Sequence, residues 1–198
     1  LKFNPLFQRD GLAYLETQYY GGIKPYQWVT IPLAIHGVVS KIDGDNVNIV
    51  IGEDKNDPVF CVTDILPHAD KFQMERKGNE VVKGEDLDVL VGNRILDLGE
   101  DKKTDEGKMI KDFCLKILEQ RFGISEADLD SSELYFVPAG RARHMGLDSS
   151  MILGYGHDDR VCAYPALSAQ LALSKAGKVP AHTAVCLLMD KEEIGSTG

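Results

Sequence analysis

The chain has 198 residues, 43% of them hydrophobic and 27% charged, with a formal net charge of −9. That supports one good core or two modest ones and excludes an extended disordered segment. The acidic balance, without any run of lysine and arginine, excludes nonspecific nucleic-acid binding, because phosphate contacts need basic clusters.

The four cysteines, Cys61, Cys114, Cys162 and Cys186, include no Cys-x-x-Cys pair. Neither a thiolate metal site nor a disulfide framework is expected, and a reducing cytoplasm fits such cysteine usage. No apolar run approaches the ~20 residues of a membrane span and no signal-like start is visible, so no membrane partner is expected. The chain opens on Leu1 and stops at Gly198 inside a motif-like stretch, which leads us to expect a piece of a longer protein.

In chain order, residues 1–17 predict entry into a sheet, with Asn4-Pro5 as a turn signal. Tyr19-Tyr20-Gly21-Gly22-Ile23-Lys24-Pro25-Tyr26-Gln27-Trp28 predicts a structured aromatic loop suited to core or subunit packing. Residues 29–40 and 47–51 read as strands joined by the turn Asp43-Gly44-Asp45-Asn46. Another strand is expected over 59–63, followed by a short helix over 66–76 with Asp64 as its cap. Residues 81–82 and 87–91 complete a strand-rich half.

The period then changes. Met109, Ile110, Phe113, Ile117, Leu118 and Phe122 recur at helical spacing, with Gly123 placed to end the helix. A strand over 133–137 is followed by a loop carrying Arg141, Arg143 and His144, whose arginines either meet an acidic substrate group or are simply solvated. A helix over 160–176 follows, capped by Asp159, interrupted at Pro165 and closed by Gly177. The apolar run 183–189 reads as a strand. This order is a βαβ-like half of an α/β domain, and the domain boundary is expected near Ser132.

Two acidic stretches carry the candidate chemistry. The run 183–189 delivers Asp190-Lys191-Glu192-Glu193-Ile194-Gly195, which would place two glutamates at the carboxyl edge of a sheet. In most acidic chains such a pair is only solvated surface. At a strand end it divides labour: one carboxylate holds a divalent ion while the other moves a proton. Upstream, Gly156-His157-Asp158-Asp159-Arg160 offers one aspartate to cap a helix and another to turn inward, where an oxygen-rich site suits zinc, cobalt or manganese.

Together these stretches resemble the aminopeptidase I and aspartyl aminopeptidase family of metallopeptidases. The resemblance includes the Tyr19 to Trp28 stretch, Ile31-Pro32-Leu33-Ala34-Ile35-His36-Gly37, Asp64-Ile65-Leu66-Pro67-His68 and Gly84-Glu85. It continues through Gly154-Tyr155-Gly156-His157-Asp158-Asp159-Arg160 and Asp190-Lys191-Glu192-Glu193-Ile194-Gly195-Ser196. The resemblance implies a two-metal site with Asp158 as bridging ligand, Glu193 as terminal ligand and Glu192 as general base. Two further histidines and an aspartate are expected from outside residues 1–198. It implies an α/β fold in two parts: a β-rich inserted oligomerisation domain over 1–132, and part of a three-layer α/β catalytic domain over 133–198. Subunits are expected to pair and build closed dodecamers, with His68 the nearest match to a histidine that reaches a neighbour's active site. His36 is expected in a core or interface, His157 to orient its loop, and His144 and His182 have no assigned role.

The expected activity of the intact protein is release of single amino-terminal residues from peptides, with the Gly-His-Asp-Asp-Arg form leaning toward neutral residues. With only two of its ligands, the 198-residue piece is expected to bind metal weakly and turn over nothing. The rival from another class is a noncatalytic oligomerisation module. A second enzymatic rival, a tetrahedral deblocking aminopeptidase, is disfavoured by the Tyr-Tyr-Gly-Gly stretch.

Overall fold

In the computed structural model, which describes residues 1–19, 21–95, 109–177 and 179–189, the first hairpin turns on Asp10 and Gly11. Their φ angles of 51° and 73° suit the tight two-residue turn that matches strand twist, and Asp-Gly is a favoured sequence for it. This turn joins β1 (Lys2–Arg9) to β2 (Leu12–Gln18), with Arg9 opposite Leu12 and Lys2 opposite Gln18. The expected turn at Asn4-Pro5 is instead an irregularity of pairing between Phe3 and Leu6. Pro5 has no N–H to give a ladder, so a bulge accommodates it without ending the strand.

β3 (Leu33–Ser40) and β4 (Asn46–Ile51) form the second hairpin, with Ser40 opposite Asn46 across the expected Asp43-Gly44 turn. Lys41 Nζ and the Asp45 N–H both donate to the Asp43 carboxylate. β5 (Val89–Gly92) and β6 (Ser132–Pro138) complete a six-stranded sheet in the order β4-β3-β6-β1-β2-β5, with every ladder antiparallel.

The expectation that residues 133–137 open a βαβ unit is corrected here. β6 runs beside β3 over its length, from Leu33 opposite Pro138 to Val39 opposite Ser132. Its alternation explains the placement, because Leu134 and Phe136 point into the core. Phe136 is fully buried, with its ring centroid 4.6 Å from Phe3 and 5.5 Å from Phe60.

Three shorter expectations also change. The helix expected over 66–76 is reduced to α1 (Lys71–Met74), because Pro67 lacks an N–H and disfavours helical backbone at the preceding residue. Asp64 does not cap it but accepts the Ile65 N–H at 2.8 Å and Gln73 Nε2 at 3.0 Å. Residues 59–63 make isolated bridges, Leu33 with Phe60 and Cys61 with Leu90, in place of a full strand. Residues 81–82 are not in a strand; Thr17 Oγ1 instead fixes the later segment by donating to Leu87 O at 2.7 Å.

α2 (Met109–Phe122) follows the expected spacing, and Gly123 N–H closes it on Glu119 O at 2.8 Å. Cys114, Leu115, Leu118 and Phe122 pack on the core of Phe3, Leu6, Leu15, Ile35, Val89 and Phe136. Burial pushes the Cys114 thiol up from its ordinary value. Asp128 joins two loops of this unit. It accepts the Ser125 N–H and hydroxyl at 2.7 and 2.6 Å, and the Ile42 N–H at 3.0 Å.

The chain divides into two compact units, Leu1–Gly140 and Arg141–Gly198. The second contains the hairpin of β7 (Arg143–Met145) and β8 (Met151–Leu153), with His144 opposite Ile152, and the helix α3 (His157–Lys175). α3 ends before Gly177, as expected, but it runs through Pro165 without the expected interruption, and the residue at its N-cap is Gly156 and not Asp159, which lies inside the first turn. The strand expected over 183–189 is not formed. Among the described residues no strand of its unit pairs with it, and Val185, Leu187, Leu188 and Met189 are exposed. Among the described residues no helix is long and apolar enough to cross a membrane.

Candidate active site

The segment between β8 and α3 is built around a change of backbone direction. Gly156 has φ +79°, a left-handed conformation that glycine adopts without penalty, and an added Cβ there would fall 2.0 Å from Arg160 Nη1. Arg160 Nη1 donates to both Tyr155 O and Gly156 O at 3.2 Å, so the guanidinium holds the turn from the helix side. His157 Nε2 lies 3.2 Å from Ile152 O, and because a carbonyl only accepts, that nitrogen carries the proton.

Asp158 interrupts the helix with φ −83° and ψ 120°, so regular helix begins only at Asp159. The Asp158–Asp159 peptide bond is cis. Asp158 is exposed, and its carboxylate has no hydrogen bond or ion pair among the described residues. The turn therefore presents a free, anionic oxygen pair in front of a helix whose first turn also carries Asp159. Nearby in sequence, Ser150 donates both its N–H and its hydroxyl to Asp148, which holds that carboxyl below its usual range.

The other expected site residues fall elsewhere. His68 is exposed on the turn before α1, in the first unit, whereas Asp158 belongs to the second. Glu192 and Glu193 lie outside the described residues, as do Asp190 and Gly195. His36 sits half-buried on β3 with Nε2 2.8 Å from Glu53 Oε1, so its ring is already engaged within its own unit. His144 and His182 are exposed, and so are Arg141 and Arg143.

Among the described residues no group of three or more histidine, cysteine, aspartate or glutamate side chains stands together as a metal site. Asp158 is a hard oxygen donor of the kind that zinc, manganese or cobalt accepts, but it is one ligand where a zinc site takes three or four. His157 does not add a second through Nε2, since that atom is bound to a carbonyl. Arg160 is the functional neighbour that sequence reasoning left without a role. Its position four residues after Gly156 was the available signal, because that spacing brings a side chain back over the preceding helical turn.

A family described as aminopeptidase I zinc metalloprotease (M18) matches residues 1–198. The chain is 52% identical over 198 residues to a probable M18 family aminopeptidase 1 of Clostridium acetobutylicum, covering all of this chain and 41% of that protein. It is 45% identical over 197 residues to the corresponding protein of Thermotoga maritima, again over 41% of its length. The chain thus spans about two fifths of the curated relatives it matches. A crystal structure of an M18 aminopeptidase from Thermotoga maritima superposes on the whole chain with a TM-score of 0.84, over 42% of that chain. A crystal structure of aminopeptidase I from Clostridium acetobutylicum, 48% identical, superposes on 86% of this chain and 37% of its own with a TM-score of 0.75. The mixed strand and helix architecture, the free carboxylate at the head of α3 and the match over every residue converge: the chain belongs to the aminopeptidase I zinc metalloprotease family, M18.

Proposed function

We propose that the protein containing this chain is a zinc-dependent aminopeptidase that releases single amino-terminal residues from peptides, with a leaning toward neutral ones. The observation that carries this reading is the family match over all 198 residues, and the free Asp158 carboxylate at the break before α3 supports it. Asp158, as the shared ligand, and Glu193, as a terminal one, would hold the divalent metal, zinc with cobalt or manganese as alternatives. When bound, the metal supplies Lewis-acid polarisation of the scissile carbonyl. Glu192 takes the proton of the attacking water and passes it to the leaving amine. Arg160 and His157 keep the turn that carries Asp158 in one conformation.

The β-rich part, residues 1–132 in the sequence reading, serves as the oligomerisation domain of a cytoplasmic dodecamer assembled from dimers. His68 reaches across the subunit boundary toward a neighbour's site. The 198-residue piece alone binds metal weakly and is inactive.

The test is made on the parent protein. Aminoacyl anilides and short peptides are expected to be cleaved from the amino terminus, with activity lost to a chelator and restored by zinc. Glu192→Gln is expected to lower turnover on the order of a thousandfold while retaining metal. Unchanged turnover in that variant would remove Glu192 as the base.

A further inference from the structure

The six-stranded sheet and α2 do not close completely on each other. Between them lies a cavity of about 260 Å³, walled by Leu6, Ile35, Ile49 and Leu134 of the sheet and by Cys114 and Leu118 of α2. Those four sheet residues are each at most 5% exposed, so the cavity reaches into the core itself. Interiors seldom leave voids much larger than a water molecule, and unfilled space costs stability in proportion to its volume.

Water has little to gain there. Apart from Arg121 and the Cys114 thiol, the lining is apolar, and burial keeps that thiol in its neutral form. An apolar cavity of about 150 Å³ stays dry and takes up benzene; six carbons in that space scale to about ten in 260 Å³.

The way in lies toward the C-terminal end of α2. Val59 and Ile117 line the cavity yet are 53% and 38% exposed, which marks them as its rim. The opposite end of α2 is tied down, where the Ile110 and Lys111 N–H groups both donate to Gln8 Oε1 at 3.2 Å.

Arg121 is the one charged residue of the described lining. Among the described residues its guanidinium has a single long contact, Nη2 to Asp57 Oδ1 at 3.5 Å, and lies 5.3 Å over the Phe122 ring. A guanidinium has five N–H donors, so most of them are left for a ligand, and their planar fork matches a carboxylate.

We propose that this cavity binds an aliphatic carboxylate: a chain of about ten carbons lies between the sheet and α2, and its carboxylate rests on Arg121 at the rim. The site goes beyond the aminopeptidase reading, because none of its residues belongs to the metal-binding stretches, and it is tested by binding alone.

The experiment titrates the parent protein with decanoate by calorimetry, with decanol and acetate as comparison ligands. Decanoate is expected to bind, decanol about tenfold more weakly for want of the charge-assisted contact, and acetate not measurably. Arg121→Gln, at a partly exposed position, should weaken decanoate by roughly tenfold and keep the fold. Leu118→Phe, which fills the cavity with a ring, should weaken decanoate and decanol alike, with thermal unfolding checked for both variants. No binding of decanoate, equal binding of decanol or acetate, or unchanged affinity in both variants would each overturn the proposal. Binding that disappears when a chelator strips the metal would place the carboxylate at the metal centre, and the cavity assignment falls.

Discussion

His157 Nε2 donates to the carbonyl oxygen of Ile152 at 3.2 Å, tying the first residue of α3 back to β8. The imidazole is therefore expected to hold position rather than metal. In the parent protein His157→Phe is expected to keep the metal content while lowering kcat about tenfold, the range seen when groups that orient a ligand are removed. Elemental analysis beside steady-state kinetics checks it. Loss of metal in that variant would instead make His157 a ligand.

Asp128 predicts a specific acid sensitivity. Hydrogen bonds from the Ser125 hydroxyl, the Ser125 N–H and the Ile42 N–H hold its carboxyl down to about 2. A folded value below the unfolded one means that the stabilisation is complete above the ordinary carboxylate range and fades as pH falls toward 2. Urea midpoints followed from pH 6 to pH 2 should therefore fall more steeply for the native sequence than for Asp128→Asn, which starts from a lower midpoint. Parallel curves would show that the carboxylate contributes nothing.

Gly37 predicts a packing limit inside the sheet. It lies in β3 opposite Leu134 with φ +148°, and an added Cβ would fall 1.9 Å from the Glu133 carbonyl oxygen. The obstacle is backbone, which cannot rotate away. Gly37→Ala is expected to cost about 3 kcal/mol, combining an unfavourable φ with forced separation of β3 and β6. Equilibrium denaturation measures the change.

Phe136→Ala should be among the most damaging core substitutions. The side chain is fully buried between Phe3 and Phe60, so its removal leaves a hole that the sheet cannot collapse around. The expected loss is about 3–5 kcal/mol, read from the same denaturation curves.

Periodicity made α2 legible, since Ile110, Leu118 and Phe122 repeat on one helical face and Gly123 stops it. The β3–β4 hairpin was legible from Asp43-Gly44, and the helix before Gly177 from its end residues. The Asp10-Gly11 turn carries an equally plain signal, which competes in the sequence with that of Asn4-Pro5. What local pattern could not supply was partnership. The alternation of residues 133–137 fits either domain, and only the ladder with β3 decides between them. The run 183–189 has strand composition, but a strand also needs a neighbour offering N–H and C=O groups. At the candidate site, the motif marked Asp158 correctly as a carboxylate at a helix start. The backbone break that leaves it free depends on Gly156, Arg160 and Ile152 acting together.

Every buried apolar side chain among the described residues belongs to the unit Leu1–Gly140. Beyond it, Val161, Tyr164, Leu167 and Leu171 on α3 are exposed. In the isolated 198-residue chain the two units should therefore differ in cooperativity. Amide hydrogens of the six-stranded sheet should exchange only through global opening, whereas those of α3 should exchange through local fraying. A protease would then find its first cuts among Arg141, Arg143 and Arg160, releasing the sheet intact.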